Sequence, residues 1–434
     1  MWRPQRSARS PGAAAVKASI TSPSLWGIRT AILGLAAVAA LTLQLVSIST
    51  GGLQADGSTV HVDISGDGRL VVFDSLAGNL SAAALGNPDQ EVYVRDRARG
   101  RTLLVSRNSR GRASNGWSWM PSLSPNGGFL AFCSTASNLA RPDRLPRAHT
   151  GPGLDPHTDV FVRDLRRGVT RRASSDHRGR MANAGSCRPS VANTGDVAFE
   201  SAASDLARGD TNGFIETFVY DWESRRVRAV AQLPGGGTAG SAGAAISADG
   251  RYVAFYAGER LAPEDDDALG DAYLYDRRGR TLRVVSPGTA GCYNELALEL
   301  TPRARHVLHW CDDGLRVLDR RTGEVANASP TVDGGPPDRS ITDAGIAADG
   351  DTVVFSSEAY NLGAPADGLY DHVFAWRRER PLAAVVAAAS HCTWAAGVSA
   401  DGRTAAFAAT LPGLVPQDTA DPRQGDAFVA GPLG

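Results

Sequence analysis

Ser247-Ala248-Asp249-Gly250, followed after two residues by Val253-Ala254-Phe255, is the phrase that decides the fold, because it recurs along the chain. Each clear copy is a polar turn with Asp-Gly or Asn-Gly and then a short strand that ends in an aromatic residue. Glycine supplies the positive φ of a tight hairpin, and Asp or Asn bonds the local backbone. The copies, clear and weaker, lie at residues 64–73, 124–132, 192–199, 247–255, 301–310, 348–355 and 399–407.

Each unit continues with two further strand-like runs. A third run rich in Val, Tyr and Phe ends in Asp, as in Asp159–Asp164, and a fourth follows a tight turn, as in Val169–Ser174. Such runs are typical of β-strands, and a period of roughly 45 to 70 residues suits a four-stranded propeller blade. The closing Asp is expected to accept hydrogen bonds from the turn after it. We therefore predict an all-β fold, a seven-bladed β-propeller, with six blades as the alternative.

The repeat resembles the WD40-like Asp-Gly (PD40-type) repeat of the TolB-like β-propellers. The resemblance covers about residues 62–429, and it is carried by Pro125-Asn126-Gly127, the run Val160–Asp164 and the loop Leu206–Gly213. The fifth unit departs from the pattern, with Thr301–Ala304 in place of the Asp-Gly turn. TolB itself has six blades and an additional N-terminal domain, so its role in an outer-membrane complex is not carried over.

The N-terminal part has the layout of a membrane-targeting segment. Residues 1–55 carry five cations and no acid, and residues 31–49 are almost entirely apolar. Cations ahead of an apolar run predict a cytoplasmic N-terminus and an exported C-terminal part. We predict a basic cytoplasmic segment at residues 1–30, a transmembrane signal-anchor helix at 31–49, a linker at 50–57 and the propeller at 58–434. Cleavage after Ala55, which would release a secreted protein, is the alternative.

The seventh unit ends after Asp426–Val429 without a fourth strand. A propeller has to close its ring or expose a sheet edge. We expect residues near Ser58–His61 to pair with the last blade and close the ring.

The loop face is the expected binding surface, because a rigid scaffold presents its variable loops there. Trp119 and Trp394 each lie five residues before the Ser of their repeat phrase, with Trp117 and Tyr293 close by in the sequence. Trp and Tyr side chains commonly anchor interfaces, so these four residues are candidate partner contacts. The alternative is that they cap the core from above.

Two sets of oxygen, nitrogen and sulfur donors are weak metal-site candidates, and we predict no metal and no cofactor. An oxygen-rich stretch does not fit the twelve-residue calcium-loop pattern, and a solvated acidic turn explains it. Its members are Asp210, Asn212 and Glu216. His306, His309 and Cys311 have the spacing of metal ligands, but strand residues three apart point to opposite faces. Zinc is disfavoured there for that reason.

The five cysteines follow the apolar segment, where disulfides persist in an exported protein. Cys292 precedes the first strand of the fifth unit and Cys311 ends its second strand, so antiparallel pairing brings them together. Cys133 and Cys187 are a second candidate pair, joining the second and third blades. Cys392 is then left free or intermolecular.

The sequence favours binding over catalysis. It contains no Gly-x-Ser-x-Gly elbow, no His-Glu-x-x-His and no phosphate loop. Five of its 45 basic residues precede residue 56, so the rest carries 40 basic and 46 acidic residues without a basic stripe, and nucleic acid is not an expected partner. We predict a non-catalytic exported propeller, held at the cell membrane or secreted, that binds a protein, peptide or glycan through its loop face. The alternative is a propeller lyase or glycosidase, which ionisable residues with perturbed pKa at the channel mouth would favour.

Overall fold

The described part of the chain forms a ring of seven four-stranded antiparallel sheets. In this computed structural model the described residues are 41–84, 89–140, 157–176, 178–207, 213–234, 236–265, 269–286, 292, 298–363, 372–386, 397–410, 414–419 and 424–433. The innermost strand of each sheet contacts the innermost strand of the next, and the last contacts the first. The predicted seven-bladed all-β propeller is therefore confirmed.

The blades are numbered 1 to 7 from the strand that follows residue 58. The innermost strands are β2 (Thr59–Ile64), β6 (Ser118–Leu123), β10 (Ser186–Val191), β14 (Ser241–Ile246), β18 (Glu299–Leu300), β22 (Ile341–Ile346) and β26 (Gly397–Val398). The second strands are β3 (Leu70–Ser75), β7 (Phe129–Ser134), β11 (Val197–Ser201), β15 (Tyr252–Ala257), β19 (His306–Cys311), β23 (Thr352–Ser357) and β27 (Ala405–Ala409). The third strands are β4 (Glu91–Asp96), β8 (Asp159–Asp164), β12 (Glu216–Asp221), β16 (Asp271–Asp276), β20 (Gly314–Asp319), β24 (His372–Arg377) and β28 (Asp426–Gly431). The outer strands are β5 (Arg101–Leu104), β9 (Val169–Arg172), β13 (Arg226–Ala229), β17 (Thr281–Val284), β21 (Val325–Asn327), β25 (Ala383–Val386) and, for blade 7, β1 (Thr42–Leu45).

A stacked pair of aromatic rings holds the middle of six blades. The aromatic residue that ends each repeat phrase lies opposite an aromatic residue of the third strand, with ring centroids 5.3 to 6.0 Å apart. The pairs are Phe73–Tyr93, Phe132–Phe161, Phe199–Phe218, Phe255–Tyr273, Phe355–Phe374 and Phe407–Phe428. In blade 5 His309 takes this position opposite Arg316. Burial, with Arg316 nearby, lowers the pKa of His309 to about 4, so this side chain is neutral in the core.

The repeated acidic residues support turns, as the sequence predicts. Asp249 accepts a hydrogen bond from the Arg251 amide at 3.1 Å, and Gly250 has a φ of 71°. The Asp that closes the third strand acts in the same way, because Asp164 accepts bonds from the Arg166 and Arg167 amides at 2.9 and 2.8 Å. These recurrent carboxylates therefore serve the fold.

The ring closes differently from the prediction. Thr42–Leu45 pairs antiparallel with Asp426–Gly431 as the outer strand of blade 7, so the N-terminal chain supplies the missing fourth strand. Thr59–Ile64, which includes the residues expected to close the ring, is the innermost strand of blade 1. The Ser47 hydroxyl and the Gln54 amide donate to the two carboxylate oxygens of Asp426 at 2.6 and 2.7 Å, which fixes this closure.

The helix predicted at residues 31–49 is not formed in its described part, and the predicted linker at 50–57 lies partly in a hairpin. Residues 42–45 are a strand, and Ile48 and Gln54 form a bridge within a hairpin. The rest of the proposed helix and the basic segment 1–30 lie outside the described residues. Within the described part of the chain, the 3₁₀ turn Tyr360–Leu362 is the sole helical element, and no helix has the length and hydropathy to cross a bilayer.

Candidate functional site in the central channel

The inner strands enclose a channel with a volume of about 300 Å³. Its wall carries Glu200 of β11 and five ionisable side chains from the inner strands of blades 1, 3, 5 and 6. These five are His61, Asp63, Arg188, Glu299 and Asp343. Each comes from a first strand, although these strands are otherwise built mostly from small, hydroxyl and aliphatic residues. The channel is therefore the place where charged groups of distant blades come together.

One position on the inner strands of blades 1, 2 and 3 accepts a hydrogen bond from a backbone amide of the next blade. Asp63 accepts the Leu123 amide of blade 2 at 2.7 Å. The Ser122 hydroxyl accepts the Val191 amide of blade 3 at 3.2 Å, and the Ser190 hydroxyl accepts the Ile246 amide of blade 4 at 3.1 Å. By strand register Glu299 occupies the same position in blade 5, opposite Leu308, as Asp63 does opposite Val72. A carboxyl group there thus combines a structural position with access to the channel.

The inner strands of blades 1, 2, 3, 4 and 6 each contain a β-bulge, and the residues in these bulges also line the channel. A bulge inserts one extra residue and re-aims the side chains around it. Met120 and Arg188 lie in these bulges with φ of 49° and 52°, and Gly243 with 72°. The freed amide of Met120 donates to Asp74 of the preceding blade at 3.0 Å, and that of Gly243 donates to Glu200 at 2.7 Å. The left-handed backbone is therefore stabilised by a carboxylate from the neighbouring blade.

The two basic side chains of the described channel wall, His61 and Arg188, each lie close to a carboxylate. His61 Nδ1 lies 2.6 Å from Asp74 Oδ2. Burial alone would lower the pKa of His61, but the Asp74 carboxylate, with a smaller contribution from Asp343, outweighs burial and raises it. Burial likewise opposes ionisation of Asp74, yet His61 and the backbone amides hold its pKa below the usual value. Arg188 lies 3.8 Å from Glu200.

The carboxyl groups of Asp63 and Glu299 are shifted the other way. Burial raises the pKa of Asp63 to about 6, although the Leu123 and Ile64 amides favour its charged form. Burial, followed by the charges of Asp63 and Asp343, raises the pKa of Glu299 to about 8. At neutral pH Asp63 is therefore mostly ionised and Glu299 mostly protonated. Two carboxyl groups in one cavity with separated pKa values are able to accept and to donate a proton.

Of the four aromatic residues proposed as partner contacts, the structure describes Trp117 and Trp119, and Trp119 is buried instead of exposed. Trp119 is 1% exposed and packs against Cys133 and Cys187, with Trp117 and Met120 partly buried beside it. Its position opposite Cys133 in the sheet turns the ring into the space between blades 2 and 3. Trp119 thus caps the core, the alternative that the sequence left open. Tyr293 and Trp394 lie outside the described residues.

Two disulfides are present, Cys133–Cys187 between blades 2 and 3 and Cys292–Cys311 in blade 5. They are the pairings that the sequence predicts, and Cys392 lies outside the described residues. His309 Nδ1 lies 3.3 Å from Cys311 Sγ, and with Cys292 these residues form the one described group with metal-ligand spacing. Both sulfurs are already bonded to each other, so they offer no thiolates. His306 instead faces Asp319 at 3.6 Å.

The oxygen-rich stretch shows no assembled calcium loop among the described residues. Glu216 is buried at the start of β12, opposite Ser201, while Asp210 and Asn212 lie outside the described residues. The channel residues His61, Asp63, Glu299 and Asp343 were not predicted. An alignment of the seven inner strands on their turn residues reveals the signal, because Glu299 and Asp63 stand where Ser122 and Ser190 occur.

Comparison with known proteins supports the fold. No protein family and no curated protein matches the sequence. Similar solved structures include an oligogalacturonate lyase in complex with manganese (12% identity, 90% of this chain and 96% of that chain, TM-score 0.52). Others are U3-55K (11% identity, 90% and 98%, TM-score 0.51) and TolB from Acinetobacter baumannii (16% identity, 63% and 57%, TM-score 0.36). TolB is thus among the structural neighbours, and membership of the Asp-Gly repeat family stays a prediction.

Proposed function

We propose that this protein is a non-catalytic binding propeller whose central channel receives a positively charged group of a protein or peptide partner. The observation that carries the proposal is the meeting of three carboxyl groups, Asp63, Glu299 and Asp343, in the channel wall. Burial and the charges of the other two carboxylates raise the pKa of Glu299. A raised carboxyl pKa reports a negative potential and poor solvation at the site. The negative potential that keeps the Glu299 proton in place at neutral pH also attracts a lysine or arginine side chain, which carries a permanent positive charge.

The distribution of partners in the channel supports this choice of ligand. His61 is matched by Asp74, and Arg188 by Glu200, at 2.6 and 3.8 Å. Asp63 instead accepts only backbone amides, and no described cation lies within ion-pair distance of it. A charge that is paired only with amide dipoles in a narrow cavity favours an incoming cation, because the low dielectric strengthens their attraction.

The test is binding of a short oligolysine peptide to the whole chain, measured by calorimetry from pH 6 to 9. Binding is expected to tighten as pH rises, because Glu299 gives up its proton near pH 8 and then adds a charge. Asp63→Asn is expected to weaken binding, whereas Glu223→Gln, an exposed change of equal charge, is the matched control. Equal binding of oligoglutamate, or an equal effect of both variants, would reject the cation site.

A second candidate is the propeller enzyme, a lyase or glycosidase. The separated pKa values of Asp63 and Glu299, about 6 and 8, favour it, since one group is then able to act as base and the other as acid. Release of new reducing or unsaturated ends from an oligosaccharide, abolished by Glu299→Gln and with a bell-shaped pH profile, would replace the binding proposal. The absence of turnover on a panel of neutral and acidic glycans would leave the binding proposal in place.

Export to an oxidising compartment belongs to the same proposal. Two intact disulfides are typical of proteins outside the cytosol. Because Thr42–Leu45 is a propeller strand, residues 31–41 are the part of the apolar run left over. Eleven residues match the apolar core of a secretory signal and fall short of the roughly 20 needed to span a bilayer. N-terminal sequencing of the exported protein tests this, and a start at residue 56 would contradict it.

A further inference from the structure

A basic groove lies on the outer rim of blade 2, on an outer strand rather than on the inner strands that line the channel. Its floor is the outer strand β9, and it is flanked by two hairpins that are closed by the bridges Arg107–Ala113 and Ser175–Met181. Asn138–Ala140 of blade 2 and Tyr220 and Arg225 of blade 3 also line it. The first hairpin is fixed to β9, because the Thr170 amide donates to the Ser109 hydroxyl at 2.9 Å. The Thr170 hydroxyl donates to the Arg107 carbonyl at 2.6 Å. The groove is therefore built on rigid elements.

Six arginines line this groove, and the described lining contains no acidic residue. They are Arg110, Arg112, Arg171, Arg172, Arg180 and Arg225. Asp159 lies 3.3 Å from Arg172, and Asp176 lies 2.7 Å from Arg180. Among the described residues the other four arginines have no acidic partner within ion-pair distance. The described part of the groove thus presents a net positive charge.

One of the unpaired arginines is held in place. The guanidinium of Arg171 lies 3.7 Å above the ring of Trp222, and its Nη1 donates to the Trp222 carbonyl at 2.8 Å. Stacking on an aromatic face and a backbone bond fix the plane of the guanidinium. Less side-chain freedom is then lost when the group binds a ligand.

The arginines are not needed to build the hairpins. Equivalent hairpins follow β1 and β13, and they are closed by the same kind of bridge, Ile48 with Gln54 and Gln232 with Thr238. The place of Arg112 and Arg180 is taken there by Leu53 and Gly237. Since uncharged residues serve the same local structure, the clustered arginines at blade 2 call for a role outside folding.

We propose that this rim groove binds a carboxylated polysaccharide. The planar guanidinium fork bonds a carboxylate through two parallel N–H donors. Tyr220 and Trp222 are 2% and 9% exposed, so the groove offers no stacking platform of the kind that single-stranded nucleic acids use. No large exposed apolar side chain lies in the described lining, which removes the anchors that membrane or peptide docking requires. A uniformly polar chain with a carboxylate on each unit fits what remains.

Binding of an alginate hexasaccharide to the whole chain tests the proposal, with a neutral glucan hexasaccharide as the comparison. The alginate oligomer is expected to bind and to weaken as salt rises, because screening acts on exposed charges, while the glucan oligomer does not bind. The variant Arg110→Gln/Arg112→Gln/Arg225→Gln is expected to lose affinity by at least about tenfold, since each lost charge-assisted contact weakens binding. Arg278→Gln/Arg283→Gln/Arg303→Gln, three exposed changes elsewhere, removes the same charge and is expected to stay within about twofold.

Further outcomes decide against the groove. An equal loss in both triple variants would assign binding to net charge, and tighter binding of single-stranded DNA or an acidic peptide would assign the groove to that partner. If the triple variant unfolds, Arg112→Gln alone supplies the comparison, because that side chain is exposed and makes no described hydrogen bond. Asp63→Asn is expected to leave alginate binding unchanged, so failure of the channel proposal and of the groove proposal are distinguishable.

Discussion

At the scale of single residues, Glu299 couples the channel to the proton concentration. Its carboxyl stands between the charges of Asp63 and Asp343 in a poorly solvated position, and the three groups do not all ionise at neutral pH. The native state therefore keeps a proton that an unfolded Glu299 releases near its ordinary pKa. The raised pKa therefore lowers the free energy of unfolding at neutral pH, and the size of this loss depends on pH.

Replacing Glu299 by Gln is expected to remove that loss. Between the ordinary Glu pKa and about 8 the native state binds more protons than the unfolded state, so wild-type stability falls as pH rises and levels off above 8. Gln mimics the protonated side chain and does not titrate. Urea unfolding at pH 5 and pH 8 is expected to show a gain of stability for Glu299→Gln that is larger at pH 8 by on the order of 3 kcal/mol, because the wild type loses up to about 1.4 kcal/mol per pH unit in this range. A gain of equal size at both pH values, or the same pH trend in Glu223→Gln, would contradict this account.

Ser47 is the residue on which ring closure depends most directly. Its hydroxyl donates to Asp426 at 2.6 Å and accepts the Ala427 amide at 3.1 Å, and the side chain is fully buried. Ser47→Ala removes the partner of Asp426 Oδ1 and of the Ala427 amide, which is expected to lower the free energy of unfolding by about 1 to 3 kcal/mol. Chemical denaturation measures the change. Ser340→Ala, at an exposed hydroxyl with no described bond, is the matched control and is expected to change stability by less than about 0.5 kcal/mol. Equal effects would show that the closure bond is dispensable.

At the scale of strands, the repeat phrase was enough to predict the blades but not the edge of blade 7. Each hairpin is predictable from its own residues, because alternating Val, Phe and Tyr and the Asp-Gly turns are local signals. Residues 42–57 escape this logic because the apolar run 31–49 matches a membrane segment in composition. A repeat was nevertheless present, since Thr42–Gly57 aligns with Arg101–Gly116 in Leu, Val, Ser and Gly positions. Comparison of the fourth strands with one another would have placed β1.

The channel site could not be predicted, and the bulges give the physical reason. Strict alternation along β6 would place Trp119 and Ser122 on opposite faces of the blade. The bulge between them shifts the register by one residue, so both face blade 3. The side chains that border the channel therefore depend on the position of the β-bulge, which the residue composition does not predict. The disulfides were predictable because they join strand ends whose order follows from the blade pattern.

At the scale of the whole molecule, the two ends of the described chain meet in one sheet. Thr42 pairs with Gly431 and Leu45 with Phe428, so the ring is closed by antiparallel pairing between the first and the last strand. Without β1, blade 7 would present β28 as an open edge and lose the buried contacts of Leu45 and Val46. Stability is thus a property of the closed ring, and it depends on where the chain is cut.

A circular permutant tests this dependence. A chain that starts at Gly57, continues through Gly434, and is joined by a short Gly-Asn linker to residues 41–56 keeps β28 and β1 as consecutive strands of blade 7. We expect it to unfold cooperatively in urea at a midpoint close to that of a chain starting at residue 41, because both retain every strand pair of the ring. A chain of residues 57–434, which lacks β1 and Ser47, is expected to unfold at a clearly lower urea concentration and to bind a dye specific for exposed apolar surface. Circular dichroism and tryptophan fluorescence follow the three transitions. If residues 57–434 were as stable as the permutant, β1 would not contribute to stability and other contacts would close the ring. Processing after Ala55 would then be compatible with a folded propeller.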